Sequence, residues 1–176
     1  MLLHTDWTFT TDHLRVAYRL TNNCAAPLYA YTIPRTAARL LPRPGCAYTL
    51  LTSDDTELTL LLGTCQPPER YSVPLRVQPL AVLVPPGKQY AGEVKVPIPL
   101  VEWNAYSSPD AQADTVRPVD VYLLQFVVEY VLEGETYFRQ QNADGNWDVG
   151  GTVVRVASAT HVPDNPVRVL SKWAHS

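Results

Sequence analysis

Glycine is scarce in this chain, with eight among 176 residues, and the glycines are spread thinly. The sequence contains no phosphate-binding glycine loop and no Gly-x-Ser-x-Gly motif of the kind that hydrolases use. It also lacks an apolar stretch as long as a membrane span, and its first residues lack the basic and apolar regions of a secretory signal. We therefore expect no membrane span, and the case for an enzyme rests on no recognisable motif.

Cysteine is also rare, because the chain has only Cys24, Cys46 and Cys65. An odd, small number fits a reducing compartment better than a disulfide framework, so we expect free thiols and a cytoplasmic location. A mature periplasmic chain without its signal would have the same sequence, and this alternative stays open.

Clustered positive charge is missing as well. Fourteen basic and seventeen acidic residues give a formal net charge of −3, so we expect no nucleic-acid partner. The length fits a single domain covering residues 1–176, which needs no metal or disulfide for stability. Sixteen prolines disfavour an all-helical fold.

What the sequence does have is period-two alternation of apolar residues, the pattern of half-buried strands. Residues 14–20 alternate cleanly and predict the first long strand. A short strand is expected before it at 7–10, and the chain resumes in extended form at 27–31.

The turn-forming sequence Ser53-Asp54-Asp55-Thr56 predicts a hairpin between residues 47–52 and 57–65. With Asp54-Asp55 as the loop, Tyr48 lies opposite Leu61. One face of the hairpin then consists of Thr49, Leu51, Leu58, Leu60 and Leu62 and is predicted to face the core.

A further strand is predicted at residues 80–84, followed by a Pro-Pro-Gly-Lys turn and a long strand from Tyr90 to Leu100. Pro97 and Pro99 remove two backbone donors from one side of that strand. We therefore expect an exposed sheet edge there.

The clearest predicted core face consists of alternating residues in the second half of the chain: Tyr122, Leu124, Phe126, Val128, Tyr130 and Leu132. A tight turn at 133–134 would place Tyr130 opposite Tyr137. A second turn at Asp144-Gly145 would place Tyr137 opposite Thr152 and extend the buried face through Val154 and Val156.

Together these segments predict an all-β, two-sheet antiparallel sandwich of about eight or nine strands. The sequence Leu-x-Val-x-Tyr-x-Leu-x-Asn near the start, with Pro-Pro-Gly before a later strand, resembles many immunoglobulin-like domains. The resemblance is one of architecture and implies no activity.

Motifs for chemistry are weak. The four histidines lack metal-ligand spacing, and Asn142 to Asp148 resembles a calcium loop only in its alternating oxygen side chains. Asp54, Asp55 and Glu57 are paired carboxylates that a hairpin turn already explains. We expect no metal and no cofactor.

Two connections are longer than strand joining requires. Residues 34–45 could form helical turns that place Arg35, Arg39 and Arg43 on one face, although a solvated basic edge would look the same. Residues 101–119 contain Trp103 and Tyr106, which either contact a partner or, in the case of Trp103, cap the end of the core.

These two connections favour a non-catalytic binding module that presents Arg35, Arg39, Arg43, Trp103 and Tyr106 to a protein partner. The sequence identifies neither that partner nor the oligomeric state. The alternative is a carbohydrate-binding module that uses Trp103, Tyr106, Trp147 or Trp173 as stacking platforms. A hydrolytic enzyme ranks third.

Overall fold

The computed structural model describes residues 1–36, 45–66, 77–106 and 116–171. Within these ranges the regular structure consists of strands and one short 3-10 turn at Glu133–Glu135. The strands in chain order are β1 (Leu2–Phe9), β2 (His13–Thr21), β3 (Leu28–Ile33), β4 (Tyr48–Leu51), β5 (Glu57–Leu62), β6 (Leu80–Val84), β7 (Gln89–Pro97), β8 (Leu100–Val101), β9 (Arg117–Val121), β10 (Leu123–Leu132), β11 (Thr136–Gln141), β12 (Trp147–Gly151), β13 (Arg155–His161) and β14 (Val167–Ser171).

The predicted β architecture is confirmed for the described residues, and no helix among them is long and apolar enough to cross a membrane. The expected strand number was too low. Some strands are too short for apolar and polar residues to alternate along them, and such strands cannot be recognised from the sequence pattern. β8, with two residues, is an example.

The first sheet has three antiparallel strands in the order β1-β2-β7. The alternation predicted for β2 is confirmed, because Leu14, Val16, Tyr18 and Leu20 are all buried on the inner face. The expected edge at the prolines is also confirmed, since Pro97 ends β7, an outer strand of this sheet.

The second sheet is organised around β10, which pairs with three strands. Val128 is paired with both Leu62 of β5 and Ala157 of β13, whereas Tyr130 is paired with Ala30 of β3 and Arg155 of β13. Because a strand has only two edges, β5 and β3 must follow one another along the same edge of β10, with β13 on the other. The first part of β10 therefore lies in the strand order β13-β10-β5-β4. The last residues of β10 pair with β3, and from β3 the sheet extends through β6 and β12 to β11.

The main core lies between these two sheets. A third sheet, with the strand order β8-β14-β9, closes one end of this core, which we call its base. Phe126 is fully buried there, and its ring packs against Tyr18 with the centroids 5.1 Å apart. Tyr18 needs the glycine at position 92, because a Cβ at that position would lie 2.4 Å from the tyrosine ring.

The sheets are mixed and not purely antiparallel, so the antiparallel expectation was wrong in this respect. β5 runs parallel to β10, and β8 runs parallel to β14. Parallel partners need a long connection, which leaves no hairpin signal in the sequence.

The hairpin between β4 and β5 has the predicted register, with Tyr48 opposite Leu61. The five residues predicted for its inner face are all buried. The turn at Asp144-Gly145 is also confirmed as the link between β11 and β12. The predicted pairing of Tyr137 with Thr152 was wrong, because the ladder pairs Thr136 with Gly151 and Phe138 with Gly150 and shifts register at Tyr137.

The predicted core face is confirmed for Leu124, Phe126, Val128 and Tyr130, and Leu132 is half-buried. Tyr122 was assigned wrongly, since 60% of it is exposed. It lies between β9 and β10, which belong to different sheets, and the alternation changes phase at this junction.

The predicted hairpin at 133–134 was wrong. The 3-10 turn at Glu133–Glu135 leads the chain to β11 at the far end of the sheet, and Tyr130 is paired with β3 and β13 instead of with Tyr137. Val154 and Val156 were also assigned wrongly, because both are exposed.

We predict opposite outcomes for two aromatic residues near the start of β10. Phe126→Ala removes a fully buried ring and is expected to lower the free energy of unfolding by about 3–5 kcal/mol. Tyr122→Ala removes an exposed ring and is expected to change it by less than about 1 kcal/mol. Urea denaturation of both variants tests this assignment, and equal losses would show that the phase of β10 is wrong.

Candidate functional site

A cleft of about 340 Å³ opens between β7 and the start of β4. We call it the Trp103 cleft. Its walls are largely apolar, and the residues that define it are Cys46, Thr49, Lys95, Pro97, Pro99 and Trp103.

The chain positions Trp103 through backbone pairing of this residue and of the three residues before it. Leu100 and Val101 pair with β14, and the amide of Glu102 donates to the carbonyl of Leu170. Trp103 then exchanges two backbone hydrogen bonds with Thr49, at 2.7 and 2.8 Å between nitrogen and oxygen.

A buried polar contact supports the same segment. The hydroxyl of Ser171 donates to the carboxylate of Glu102 at 2.9 Å, and both residues are buried. This contact ties β14 to the segment that carries Trp103.

Tyr48 forms the floor beneath Trp103, with the two ring centroids 4.9 Å apart. Its hydroxyl donates to the carbonyl oxygen of Arg35 at 2.5 Å and accepts from the amide of Arg35 at 2.9 Å. Burial raises the pKa of Tyr48, so this phenol remains a neutral donor.

A small second core surrounds Tyr48 on the outer face of the sheet. It contains Leu61, Cys65, Val77, Ala105 and Val127. Burial raises the pKa of the Cys65 thiol to about 12, which leaves the thiol protonated and unreactive at neutral pH.

The charged rim of the cleft is formed by β7. Lys95 is exposed and lies 3.1 Å from the carboxylate of Glu93, which also pairs with Arg15 at 2.6 Å. The hydrogen bonds from Arg15 and Lys95 hold the pKa of Glu93 below its ordinary value. Lys95 is the member of this ion-pair network that lines the cleft, whereas Arg15 and Glu93 line a neighbouring pocket.

Arg35 lies near this region but is engaged inside the protein. Its Nη1 atom donates to Asp148 at 2.9 Å and to the carbonyl of Gln78 at 3.4 Å, and only 17% of its side chain is exposed. Arg39 and Arg43, the other two members of the predicted helical face, lie outside the described residues.

Trp103 and Tyr106 are both half-buried against the second core. The hydroxyl of Tyr106 accepts a hydrogen bond from the amide of Val77 at 3.2 Å. One part of Trp103 covers Tyr48 of the second core and another part lines the cleft, so contact with a partner stays a prediction.

The structure brings together residues that the sequence did not single out as a site: Cys46, Lys95, Pro97 and Pro99 beside Trp103. The prolines did predict a sheet edge, and the cleft lies at that edge. The wall that contains Trp103 depends on the pairing of Trp103 with Thr49. These two residues are far apart in the chain, so their pairing has no local signal in the sequence.

The calcium-like stretch forms a hairpin turn. The side-chain oxygen of Asn142 accepts from the amides of Asp144 and Asn146, both at 3.0 Å. Across residues 1–36, 45–66, 77–106 and 116–171, no group of three histidine, cysteine or acidic side chains is close enough to hold a metal ion.

The aromatic residues named for sugar binding do not form one platform. Trp147 packs edge-on against Tyr29 in a separate cluster, with the centroids 5.4 Å apart, whereas Trp103 packs on Tyr48. Trp173 lies outside the described residues.

Comparisons with protein-family models, curated proteins and solved structures gave no match to this chain. The candidate site is therefore defined by its own geometry alone.

The Cys65 thiol predicts a loss of stability at alkaline pH. In the unfolded chain the thiol ionises near 9.0, but in the fold its pKa is about 12, so ionisation favours the unfolded state. The stabilisation is complete below pH 9 and is lost as the pH rises toward 12. Between pH 8 and 10.5 we expect this residue to lower the free energy of unfolding by roughly 2 kcal/mol.

Urea denaturation of the wild type and Cys65→Ala at both pH values measures this contribution. The variant is expected to lose less stability on the change of pH, because it lacks the thiol while the buried tyrosines remain in both proteins. Identical losses would contradict the assigned environment of Cys65.

Proposed function

We propose that this chain is a non-catalytic interaction module on an immunoglobulin-like frame, and that it binds an extended segment of a partner protein in the Trp103 cleft. The observation that carries the proposal is the meeting of the two long connections at this cleft. Gly45, near the end of the first connection, accepts a hydrogen bond from the amide of Lys95 at 2.8 Å. Trp103, near the start of the second, forms the opposite wall.

The walls suit an apolar side chain of the partner. Pro97, Pro99, Val101 and Trp103 present hydrocarbon and aromatic surface with few polar groups, as the centres of protein interfaces do. Prolines and a tryptophan are also rigid, so ordering them on binding costs little conformational entropy.

The rim suits acidic residues that flank this apolar side chain. Lys95 lies on the rim, where it pairs with Glu93 and keeps 59% of its side chain exposed. Arg39 and Arg43, which the sequence prediction assigned to the interface, lie outside the described residues. We therefore assign the partner an apolar residue with acidic neighbours. Such a contact is steered by charge and weakens as salt increases.

A protein segment suits this cleft better than a sugar does. A sugar ring needs several hydrogen-bonding side chains around an aromatic face, whereas the described residues that line this cleft offer, apart from Trp103 itself, only the polar side chains of Thr49 and Lys95 and the thiol of Cys46. An apolar wall with a charged rim is the arrangement expected of a protein interface.

We predict that Lys95→Glu weakens binding of the partner by at least about tenfold, because it reverses the charge on the rim. The partner is first captured from a lysate of the native organism with the wild-type chain and identified by mass spectrometry. Affinity is then measured with the purified partner at low and high salt.

Lys88→Glu is the matched control, because it makes the same charge change in the exposed turn that precedes β7. It is expected to bind as the wild type does. Equal binding by Lys95→Glu and the wild type would refute the cleft as the interface.

A second measurement reports directly on occupancy of the cleft. Cys46 is half-buried in its wall, so a bound partner is expected to slow the alkylation of this thiol. Cys24, which is also half-buried but does not line the cleft, serves as the internal reference. Equal rates for Cys46 with and without the partner would place the interface elsewhere.

A further inference from the structure

The opposite edge of the sandwich contains a second concave site. β1 and β13 lie side by side there, and each is an outer strand, because the described ladders pair β1 only with β2 and β13 only with β10. The opening between them leads to a pocket of about 490 Å³, within the size range of sites for small molecules. We call it the His161 pocket.

Aromatic rings form one wall of the His161 pocket. The imidazole of His161 stacks on Trp7, with centroids 5.2 Å apart and planes 14° apart, and on Phe9 at 5.7 Å and 29°. The Nε1–H group of Trp7 donates to Thr5 at 3.1 Å, which fixes the orientation of the indole. Phe9 is 40% exposed and presents apolar surface to the pocket.

Polar side chains also line the pocket. His161 ends β13, and Asp164 and Asn165 follow in the loop that leads to β14. These three side chains have no hydrogen-bond partner among residues 1–36, 45–66, 77–106 and 116–171. Their hydrogen-bonding capacity is therefore available to a ligand or to water.

The pocket combines an aromatic surface with side chains that donate and accept hydrogen bonds, and this combination indicates the chemical class of its ligand. A carboxylate accepts hydrogen bonds, an amide both donates and accepts, and a neutral imidazole does the same. Neighbouring hydroxyl groups of a sugar also donate and accept, so they match this set. The C–H face of a sugar ring is apolar and fits against an aromatic surface.

We propose that the His161 pocket binds a neutral sugar ring, which packs against Phe9 and hydrogen-bonds with Asp164 and Asn165. An organic cation is a poorer match, because it would use only the acceptors and would leave the amide donors of Asn165 unused. This site is independent of the proposed protein interface, since β1 and β7 are opposite edges of the same sheet.

Saturation-transfer NMR with the full chain tests the proposal. The probes are maltose, cellobiose, lactose and diacetylchitobiose, with tetramethylammonium as the cation. We expect at least one disaccharide to bind with a dissociation constant of about 1 mM or tighter. Phe9→Ala and Asp164→Ala are each expected to weaken this binding by at least about tenfold.

Matched controls separate a local effect from a general one. Phe138→Ala and Asp144→Ala remove an exposed phenylalanine and an exposed aspartate outside the pocket, and both are expected to bind the sugar as the wild type does. Both pocket variants change exposed side chains, so thermal denaturation is expected to confirm that they remain folded.

Three results would overturn the proposal. They are failure of all four disaccharides to bind, sugar binding that persists in Phe9→Ala and Asp164→Ala, and binding of tetramethylammonium without any sugar. None of these results bears on binding at the Trp103 cleft, which is measured with a different ligand and different variants.

Discussion

Backbone pairing along β10 is the constraint on which the arrangement of the other strands depends. One edge of this strand is occupied by β13, and the other is shared in succession by β5 and β3. The alternating residues of β10 then fix which face of each partner is buried, because strand register determines the direction of every side chain. Leu58, Leu60 and Leu62 face the core for this reason, as partners of Leu124, Phe126 and Val128.

The sequence predicted local features well because their signals are local. Alternation at Leu14 to Leu20 and the turn at Asp54-Asp55 each depend on a few neighbouring residues, and both are confirmed. The parallel pairing of β10 with β5 joins residues far apart in the chain and has no such signal. The hairpin predicted after Leu132 was wrong for the same reason. A Glu-Gly pair indicates a turn, but it does not determine whether the strand after the turn pairs with the strand before it.

The candidate site was predictable to a similar extent. Trp103 and the proline edge could be named from composition and loop length, but the wall that they form together depends on the pairing of Trp103 with Thr49. Phe9 and His161 gave no signal at all, because they are separated along the chain and meet only where β1 and β13 lie together. Sites at the two open edges of a sandwich are built from such distant residues, and single residue types do not reveal them.

The position of β14 affects how the chain can fold during its synthesis. This strand lies between β8 and β9, yet it leaves the ribosome after both of them. Until it emerges, β8 and β9 have exposed backbone groups and the base of the core is open to water, a state in which chains are prone to aggregate. A nascent chain that stalls before Val167 would therefore be a natural client for chaperones that shield unpaired strands.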